Sequence, residues 1–311
     1  MDSKEPTVHQ GHEVRNMSVL NERVAFRASA LAVFASILWG GNAVSIKIAL
    51  AGVPPFALAA VRFFLGSIIV GLFNAATKTS IRLRVSELKK LFALLTLFVV
   101  QITTLNFGTR LTYAGHASLL ISTYPLFTAL FAHFFLPGDK LTMRKIAGLM
   151  LSFSGVVLIF AGKSSLGDFN HLPGDLLAIL SGLLLGIRQV YTKRLTQRMP
   201  PSKLLFWQGI FSIPVFLGLS VIFERGISVT LSGAIFGAAL YQGLIVAGFC
   251  FLLWTHLLRR HTASNLTVFS FITPISGVLL SGLLLSETIS PILIISMALV
   301  GSGIIVVNLK S

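Results

Sequence analysis

The sequence has few acidic residues and a single cysteine. Only 10 of its 311 residues are Asp or Glu, charged residues of both signs make up 11%, and Cys250 has no second thiol to pair with. Soluble domains carry roughly 25% charged residues, so this composition excludes an ordinary soluble enzyme and a disordered chain. One cysteine also excludes a disulfide-stapled secreted module and a cysteine-based zinc site.

Motifs for nucleotide or metal chemistry are missing as well. The sequence has no Gly-rich phosphate-binding loop, no pair of catalytic carboxylates and no histidine-rich metal spacing. Acidic residues fall at the ends of apolar segments or between them, which argues against carboxylate-based coupling to protons or sodium. We therefore predict no enzyme activity, no cofactor and no metal, and His116 remains as the candidate proton carrier.

Apolar residues are abundant and lie in long runs. Hydrophobic residues make up 54% of the chain, and the mean hydropathy is +0.86. Runs of about 20 residues can cross roughly 30 Å of hydrocarbon as helices, and they lack the alternation of barrel strands. We predict an all-α membrane protein with ten transmembrane helices, at 27–49, 55–76, 88–109, 114–136, 144–162, 174–193, 204–223, 232–256, 263–285 and 291–309. Residues 1–26 are predicted to form a flexible cytoplasmic tail.

The positions of Lys and Arg predict the orientation. With the N-terminus inside, 19 of the 25 basic residues fall on the cytoplasmic side, whereas only Arg110, Lys163 and Arg225 fall outside. This is the positive-inside pattern, so both termini should be cytoplasmic, with a bacterial inner membrane as the expected location. The net charge of +15 then reflects topology and anionic lipid, and we predict no nucleic-acid partner.

The two halves of the chain align with each other. The matched pairs are Gly40 with Gly186, Lys47 with Lys193, Pro55 with Pro201 and Arg62 with Gln208 at an offset of 146, and Ala114 with Ala263 and Pro125 with Pro274 at an offset of 149. Each half holds five predicted spans, an odd number, so the second copy should enter the membrane upside down. We predict two inverted five-helix repeats, at 27–162 and 174–309, with a site at their interface that can open to either side.

Several short motifs resemble a known family. They are Leu38-Trp39-Gly40-Gly41-Asn42, Pro55 with Arg62-Phe63, Ala117-Ser118-Leu119-Leu120 leading to Pro125, Gly174-Asp175, Pro274 and Leu284-Leu285-Ser286-Glu287. In order, spacing and duplication they resemble the drug/metabolite transporter superfamily, in its EamA form with two five-helix repeats. Pro137-Gly138-Asp139 departs from the leucine-glycine-glutamate usual in the first copy. The resemblance implies an exporter or exchanger of small metabolites, often amino acids and their relatives, without ATP hydrolysis.

Polar residues inside the predicted spans are the candidate substrate-binding residues. They are Trp39, Asn42, Gln101, Thr104, Ser118, Ser122, Arg188, Tyr241, Gln242, Thr267 and Ser270. Hydrogen bonds between helices, or back to the same helix, are the structural alternative for the amides and hydroxyls. For Arg188 the alternative is snorkelling to lipid headgroups. Pro125 and Pro274 can kink their helices and are candidate hinges.

Three further charged residues lie in or near the spans. For Arg62 we expect a structural ion pair, with Glu287 as its candidate partner. Lys47 and Lys193 lie close to span ends, where long basic side chains anchor helices at the lipid interface.

The predicted function is secondary transport of a small metabolite, an amino acid or analogue, by rocking of the two halves around a central cavity. An anion or lipophilic-drug carrier is the alternative, in which Arg188 would hold a carboxylate or phosphate. A membrane assembly component that transports nothing is the competing class, and an intramembrane enzyme is third. A monomer in the lipid bilayer is compatible with this interpretation. The oligomeric state, substrate, coupling ion and direction stay open.

Overall fold

The structure, a computed structural model, describes residues 26–166 and 170–308, and nearly all of them are helical. The helices are α1 (Phe26–Ala49), α2 (Pro55–Ala76), α3 (Val85–Leu111), α4 (Ala114–Ile121), α5 (Tyr124–Phe135), α6 (Met143–Leu166), α7 (Leu172–Thr196), α8 (Pro201–Phe223), α9 (Gly233–Leu240), α10 (Phe251–Arg260), α11 (Ala263–Thr267), α12 (Ile272–Leu285) and α13 (Pro291–Asn308). A π-helix (Tyr241–Cys250) joins α9 to α10, and a 3-10 helix (Val268–Phe271) joins α11 to α12. The predicted tail lies outside the described residues up to position 25, and Phe26 already belongs to α1.

Many of these helices are long and apolar enough to cross a membrane. Within the described ranges, seven stretches meet that standard: Phe26–Ala49, Pro55–Ala76, Val85–Leu111, Ala114–Phe135, Leu172–Thr196, Pro201–Phe223 and Gly233–Arg260. Shorter apolar helices follow at Ile272–Leu285 and Pro291–Gly303. Large apolar side chains such as Phe92, 69% exposed, and Leu283, 78% exposed, point away from the protein interior. Such exposure suits lipid as the surrounding solvent, and the prediction of an all-α membrane protein is confirmed.

Three of the predicted spans are not single α-helices. The fourth is interrupted between α4 and α5, the eighth contains the π-helix, and the ninth contains the 3-10 helix. Pro125 is the second residue of α5 and Pro274 the third of α12, so each candidate hinge follows an interruption. Proline offers no N–H to the preceding turn, which is a physical reason for irregular backbone at both places.

Several helix ends meet at what we call the Lys47 end of the bundle. The Lys47 ammonium group donates to the carbonyls of Thr109 (3.2 Å) and Arg110 (3.1 Å) in the last turn of α3. The carboxylate of Asp175, in the first turn of α7, accepts from the Thr112 hydroxyl. Thus α1 and α3 end, and α7 begins, at the same end of the molecule.

The opposite end of the bundle, the Lys193 end, has a matching arrangement. The Lys193 ammonium group donates to the carbonyls of Arg259 (3.2 Å) and His261 (2.7 Å) at the close of α10. Helix C-termini carry unpaired carbonyls and a partial negative charge, which attract a cation. Lys193 is fully buried, so the expectation that it anchors the chain at the lipid interface is wrong. Lys47, its match in the first half, likewise binds carbonyls in the last turn of a helix, α3.

Two carboxylates cap helix N-termini at the Lys47 end. Glu287 accepts from the backbone N–H groups of Ala114 (2.7 Å) and Gly115 (2.9 Å) at the start of α4. Glu224 does the same for the first N–H groups of α2. The expected ion pair between Arg62 and Glu287 is therefore wrong, because Glu287 satisfies amides that would otherwise lack partners.

The packing of the helices pairs elements from the two halves of the chain. Helix α1 packs against α12 and the span containing the π-helix, whereas α7 packs against α5 and α3. Helix α2 packs against α8, and α6 against α13. Gly40 of α1 lies against Ser276 of α12, and Gly186 of α7 lies against Phe127 of α5. Small residues permit such close approach between helices.

Candidate functional site

A cavity with about 920 Å³ of space between atoms, part of it open to solvent, lies between helices of the two halves. Its wall is formed by Trp39, Asn42, Ala43, Arg62, Gln101, Ile102, Leu105, Ser118, Ile121, Ser122, Tyr124, Leu185, Arg188, Gln189, Thr192, Leu205, Gln208, Phe251, Trp254, Thr255 and Thr273. Sites for small molecules typically combine an apolar wall with a few polar groups that orient the ligand. The cavity therefore has the composition of a metabolite site.

Six of the predicted substrate-binding residues line this cavity: Trp39, Asn42, Gln101, Ser118, Ser122 and Arg188. Arg188 is only 9% exposed, and its Cζ lies 5.0 Å from the ring centroid of Phe98 and 5.3 Å from that of Phe251. The alternative that Arg188 snorkels to lipid is wrong, because its guanidinium group is buried beside two aromatic rings inside the protein.

Five predicted residues do not belong to the described wall: Thr104, Tyr241, Gln242, Thr267 and Ser270. The hydroxyl of Thr104 donates to the Gln101 carbonyl (2.9 Å), and that of Ser270 to the Thr267 carbonyl (2.6 Å). These bonds return to the same chain segment, as Ser and Thr often do in helices. The Tyr241 hydroxyl donates to a carbonyl of α1, and the Gln242 side chain accepts from Arg62. Both of these contacts join helices.

Seven polar lining residues were not predicted as substrate ligands: Arg62, Tyr124, Gln189, Thr192, Gln208, Thr255 and Thr273. None of the seven is the repeat match of a predicted ligand, but the repeat relates many lining residues to one another. At the offset of 146, Trp39 matches Leu185, Asn42 matches Arg188, Ala43 matches Gln189 and Arg62 matches Gln208; at 149, Ile102 matches Phe251, Leu105 matches Trp254 and Tyr124 matches Thr273. Both members of each of these seven pairs line the cavity, so much of its wall is built from corresponding positions of the two halves.

The polar part of the wall carries two buried guanidinium groups. Arg62 is 1% exposed, and its Nη1 donates to Oε1 of Gln242 at 3.3 Å. Its Cζ also lies 5.3 Å from the ring centroid of Phe63 and 5.8 Å from that of Phe251. No Asp or Glu is among the described residues of the wall. The fixed charges that this part of the chain places on the cavity are therefore both positive.

Six buried polar atoms of the wall have no hydrogen-bond partner among the described residues. Three are donors, Nε of Arg62, Nη1 of Arg188 and Nε1 of Trp254. Two are acceptors, Oδ1 of Asn42 and Oε1 of Gln101, and the Tyr124 hydroxyl can do either. Buried polar groups in folded proteins are nearly always paired, so unpaired groups facing a cavity are candidate contacts for a ligand.

Aromatic rings form the apolar part of the wall beside these groups. The ring centroid of Trp39 lies 4.9 Å from that of Trp254 and 6.0 Å from that of Phe251, both in edge-on geometry. The candidate proton carrier His116 lies elsewhere, at the Lys47 end, with its Nδ1 3.5 Å from a carboxylate oxygen of Asp175.

Comparison with known proteins identifies the family. The family described as "EamA-like transporter family" matches residues 26–161 and, a second time, residues 172–309. The chain belongs to this family. As an EamA-like transporter it is a multi-pass membrane protein, which agrees with its helices and with the resemblance inferred from its motifs.

Relatives of this EamA-like chain come from bacteria and archaea. The "Uncharacterized transporter YoaV" of Bacillus subtilis (strain 168) is 26% identical over 86% of this chain and 92% of its own length. The "Probable amino-acid metabolite efflux pump" of Escherichia coli (strain K12) is 24% identical over 88% of this chain and 92% of its own length. A solved crystal structure matches with a TM-score of 0.71 at 23% identity, covering 91% of this chain and 98% of that one. This match shows that the two chains share a fold.

Proposed function

We propose that this protein is a ten-helix secondary transporter that exports or exchanges small metabolites, amino acids or related compounds, by alternating access. The cavity would bind the cargo through Trp39, Asn42, Gln101 and Arg188, with Pro125 and Pro274 as hinges. The observation that carries the proposal is the cavity wall built from matched positions of the two halves. A wall of this kind presents related surfaces to both sides of the membrane, as alternating access requires. Such a protein needs no catalytic residues.

The directions of the helices support the two inverted repeats, over 27–162 and 174–309. Helix α1 ends and α7 begins at the Lys47 end, so the first helices of the two halves run in opposite senses. The matched residues Lys47 and Lys193 each bind carbonyls at the close of a helix, but at opposite ends of the bundle. An inverted duplication would produce this arrangement.

The amino-acid part of the proposal draws on one relative. The Escherichia coli protein described above is named as a probable amino-acid metabolite efflux pump, and it matches along nearly the whole chain. With its amides and hydroxyls beside aromatic rings, the cavity suits a small polar molecule better than a large lipophilic one.

Labelling of introduced cysteines tests the orientation. We expect Ser228→Cys, in the link after α8, to react with a membrane-impermeant maleimide in intact cells, and Ser80→Cys, before α3, to react only after permeabilisation. The reason is that these exposed links lie at the Lys47 end and the Lys193 end, which we assign to the outside and the cytoplasm. The native Cys250 is buried and should contribute little labelling. The reverse pattern, or labelling of both variants from outside, would contradict the proposed topology.

Counterflow into proteoliposomes tests the transport activity. Vesicles preloaded with one unlabelled amino acid or metabolite are expected to accumulate its labelled form transiently, because the same site then faces both sides in turn. The Asn42→Leu variant should lower the initial rate about tenfold or more, since it replaces an unpaired buried acceptor, proposed to bind the cargo, by an apolar side chain with the same branching. Absence of counterflow for every neutral, acidic and basic compound, with protein that elutes as a single folded species, would favour an assembly component instead.

A further inference from the structure

We infer that the cargo of this cavity is a small organic dianion, a dicarboxylate or a phosphate monoester, whose two negative charges are neutralised by Arg62 and Arg188. This inference rests on the proposed transport function and narrows the cargo of the same site. Two buried cations carry it, Arg62 and Arg188, neither of which forms an ion pair with a described residue or reaches the lipid interface.

The charges of the cavity wall are not balanced within the described structure. Arginine stays protonated in proteins, and a buried guanidinium group needs a counter-charge or a full set of hydrogen bonds. Arg62 donates one hydrogen bond, to the amide oxygen of Gln242 at 3.3 Å, and Arg188 lies against two aromatic rings. The described wall contributes no carboxylate. Two positive charges therefore face the cavity without a protein anion beside them.

Each of the two arginines has a free hydrogen-bond donor. Nε of Arg62 and Nη1 of Arg188 are buried and unpaired within the described structure. A guanidinium group presents its N–H donors in a planar fork that fits the oxygens of a carboxylate or phosphate. The cavity thus offers a binding group for an anionic oxygen at each of two places.

The two arginines come from different halves of the chain. Arg62 belongs to the first half and matches Gln208, whereas Arg188 belongs to the second half and matches Asn42. Each half therefore supplies one cation and two amides to the wall, Asn42 and Gln101 from the first half and Gln189 and Gln208 from the second. A zwitterionic amino acid has no net charge and would leave the two positive charges without net compensation, but a dianion neutralises the pair.

The unpaired acceptors of the wall indicate which other groups the cargo carries. Oδ1 of Asn42 and Oε1 of Gln101 can accept hydrogen bonds from the cargo. A hydroxyl group on the dianion would supply a donor for them. The site therefore accommodates hydroxylated dicarboxylates as well as phosphate esters of small alcohols.

A thermal-stability experiment on the detergent-solubilised full chain tests the inference. The probes are two dianions, succinate and glycerol 1-phosphate, and two controls, the monoanion acetate and the zwitterion alanine. All are used at equal ionic strength in a low-chloride buffer. We expect succinate or glycerol 1-phosphate to raise the unfolding midpoint, because a ligand that binds only the folded state stabilises it. A response to succinate alone indicates a dicarboxylate cargo, and a response to glycerol 1-phosphate alone indicates a phosphate ester. Stabilisation by alanine but by neither dianion would overturn the inference.

Substitution of each arginine localises the effect. Arg62→Gln and Arg188→Gln should each weaken binding of the stabilising dianion by about 10- to 100-fold, the loss expected for a buried charge-assisted contact. Arg62→Lys and Arg188→Lys retain the charge and should bind with intermediate affinity. Arg194→Gln, an exposed arginine on the same helix as Arg188, is the matched control and should bind like the native protein.

The outcomes separate this inference from the transport proposal. Native affinity for the dianion in both glutamine variants would overturn the role of the arginine pair. Counterflow of alanine that survives both substitutions would also overturn it, while leaving the transporter intact. If a glutamine variant does not fold, the dianion affinity of the lysine variant at the same position still tests the inference.

Discussion

Replacement of Gly186 by alanine is expected to lower the free energy of unfolding by about 1–3 kcal/mol, because a methyl group has no room between α7 and α5. A Cβ atom on Gly186 would lie 2.6 Å from the Cβ of Phe127 and 2.9 Å from the backbone nitrogen of Thr128. Backbone atoms cannot rotate away, so the two helices would have to separate. The midpoint of thermal unfolding in detergent measures the loss.

Gly40 provides an independent repetition of this experiment, and Gly218 provides the control. Gly40 is the repeat match of Gly186, and a Cβ there would overlap the Cβ of Ser276, so Gly40→Ala should be destabilising as well. A methyl group on Gly218, in α8, would meet nothing within 4 Å, and Gly218→Ala should cause no loss, since alanine favours helix. If Gly186→Ala is as stable as Gly218→Ala, the described contact between α7 and α5 is wrong.

Replacement of Lys193 by methionine should also cost about 1–3 kcal/mol of folding free energy, the usual cost of leaving buried polar groups without a partner. Methionine has a similar length, but it cannot donate to the carbonyls of Arg259 and His261, which Lys193 reaches at 3.2 and 2.7 Å. Unfolding midpoints in detergent, compared with those of the native chain, give the size of the effect.

Lys89→Met is the control for that comparison. Lys89 is exposed near the start of α3, so its loss should leave the midpoint close to native. Equal midpoints for Lys193→Met and Lys89→Met would mean that Lys193 does not stabilise the end of α10.

The all-helical membrane fold could be predicted from the sequence because a span has a required length. An apolar run either reaches across the hydrocarbon or does not. The links show where the runs stop: Gly52-Val53-Pro54-Pro55 separates the first predicted span from the second, and α2 begins at Pro55. Glycine and proline form turns between helices, so such a link is visible without any knowledge of the packing.

Part of the cavity could also be predicted, because a polar side chain at membrane depth needs a partner. That rule selected Asn42, Gln101 and Arg188, which line the cavity. It selected Thr104 and Ser270 equally, although their hydroxyls bond to nearby backbone carbonyls. Sequence position alone cannot separate these cases, since a hydroxyl can satisfy itself within its own helix.

Other features needed the packing of the helices. In lipid, the outward and inward faces of a helix are both apolar, so periodicity does not reveal which face is buried. The burial of Lys193 and the inward position of Arg62 therefore have no clear signature in the sequence. The match between Arg62 and Gln208 was visible, but its meaning depends on the cavity that both residues line.

The interruption between α4 and α5 has a consequence for how binding groups can be found. Pro125 has no N–H, so it cannot pair with the carbonyl of Ile121 four residues earlier, and Ile121 lies in the cavity wall. The Ile121 carbonyl oxygen lies beside Gly182 of α7, 3.2 Å from where a Cβ atom on that glycine would be, and this backbone acceptor is present whatever side chain position 121 carries. Alanine scanning of position 121 would therefore overlook its contribution, whereas Pro125→Ala, which adds an N–H four residues later, would reveal it.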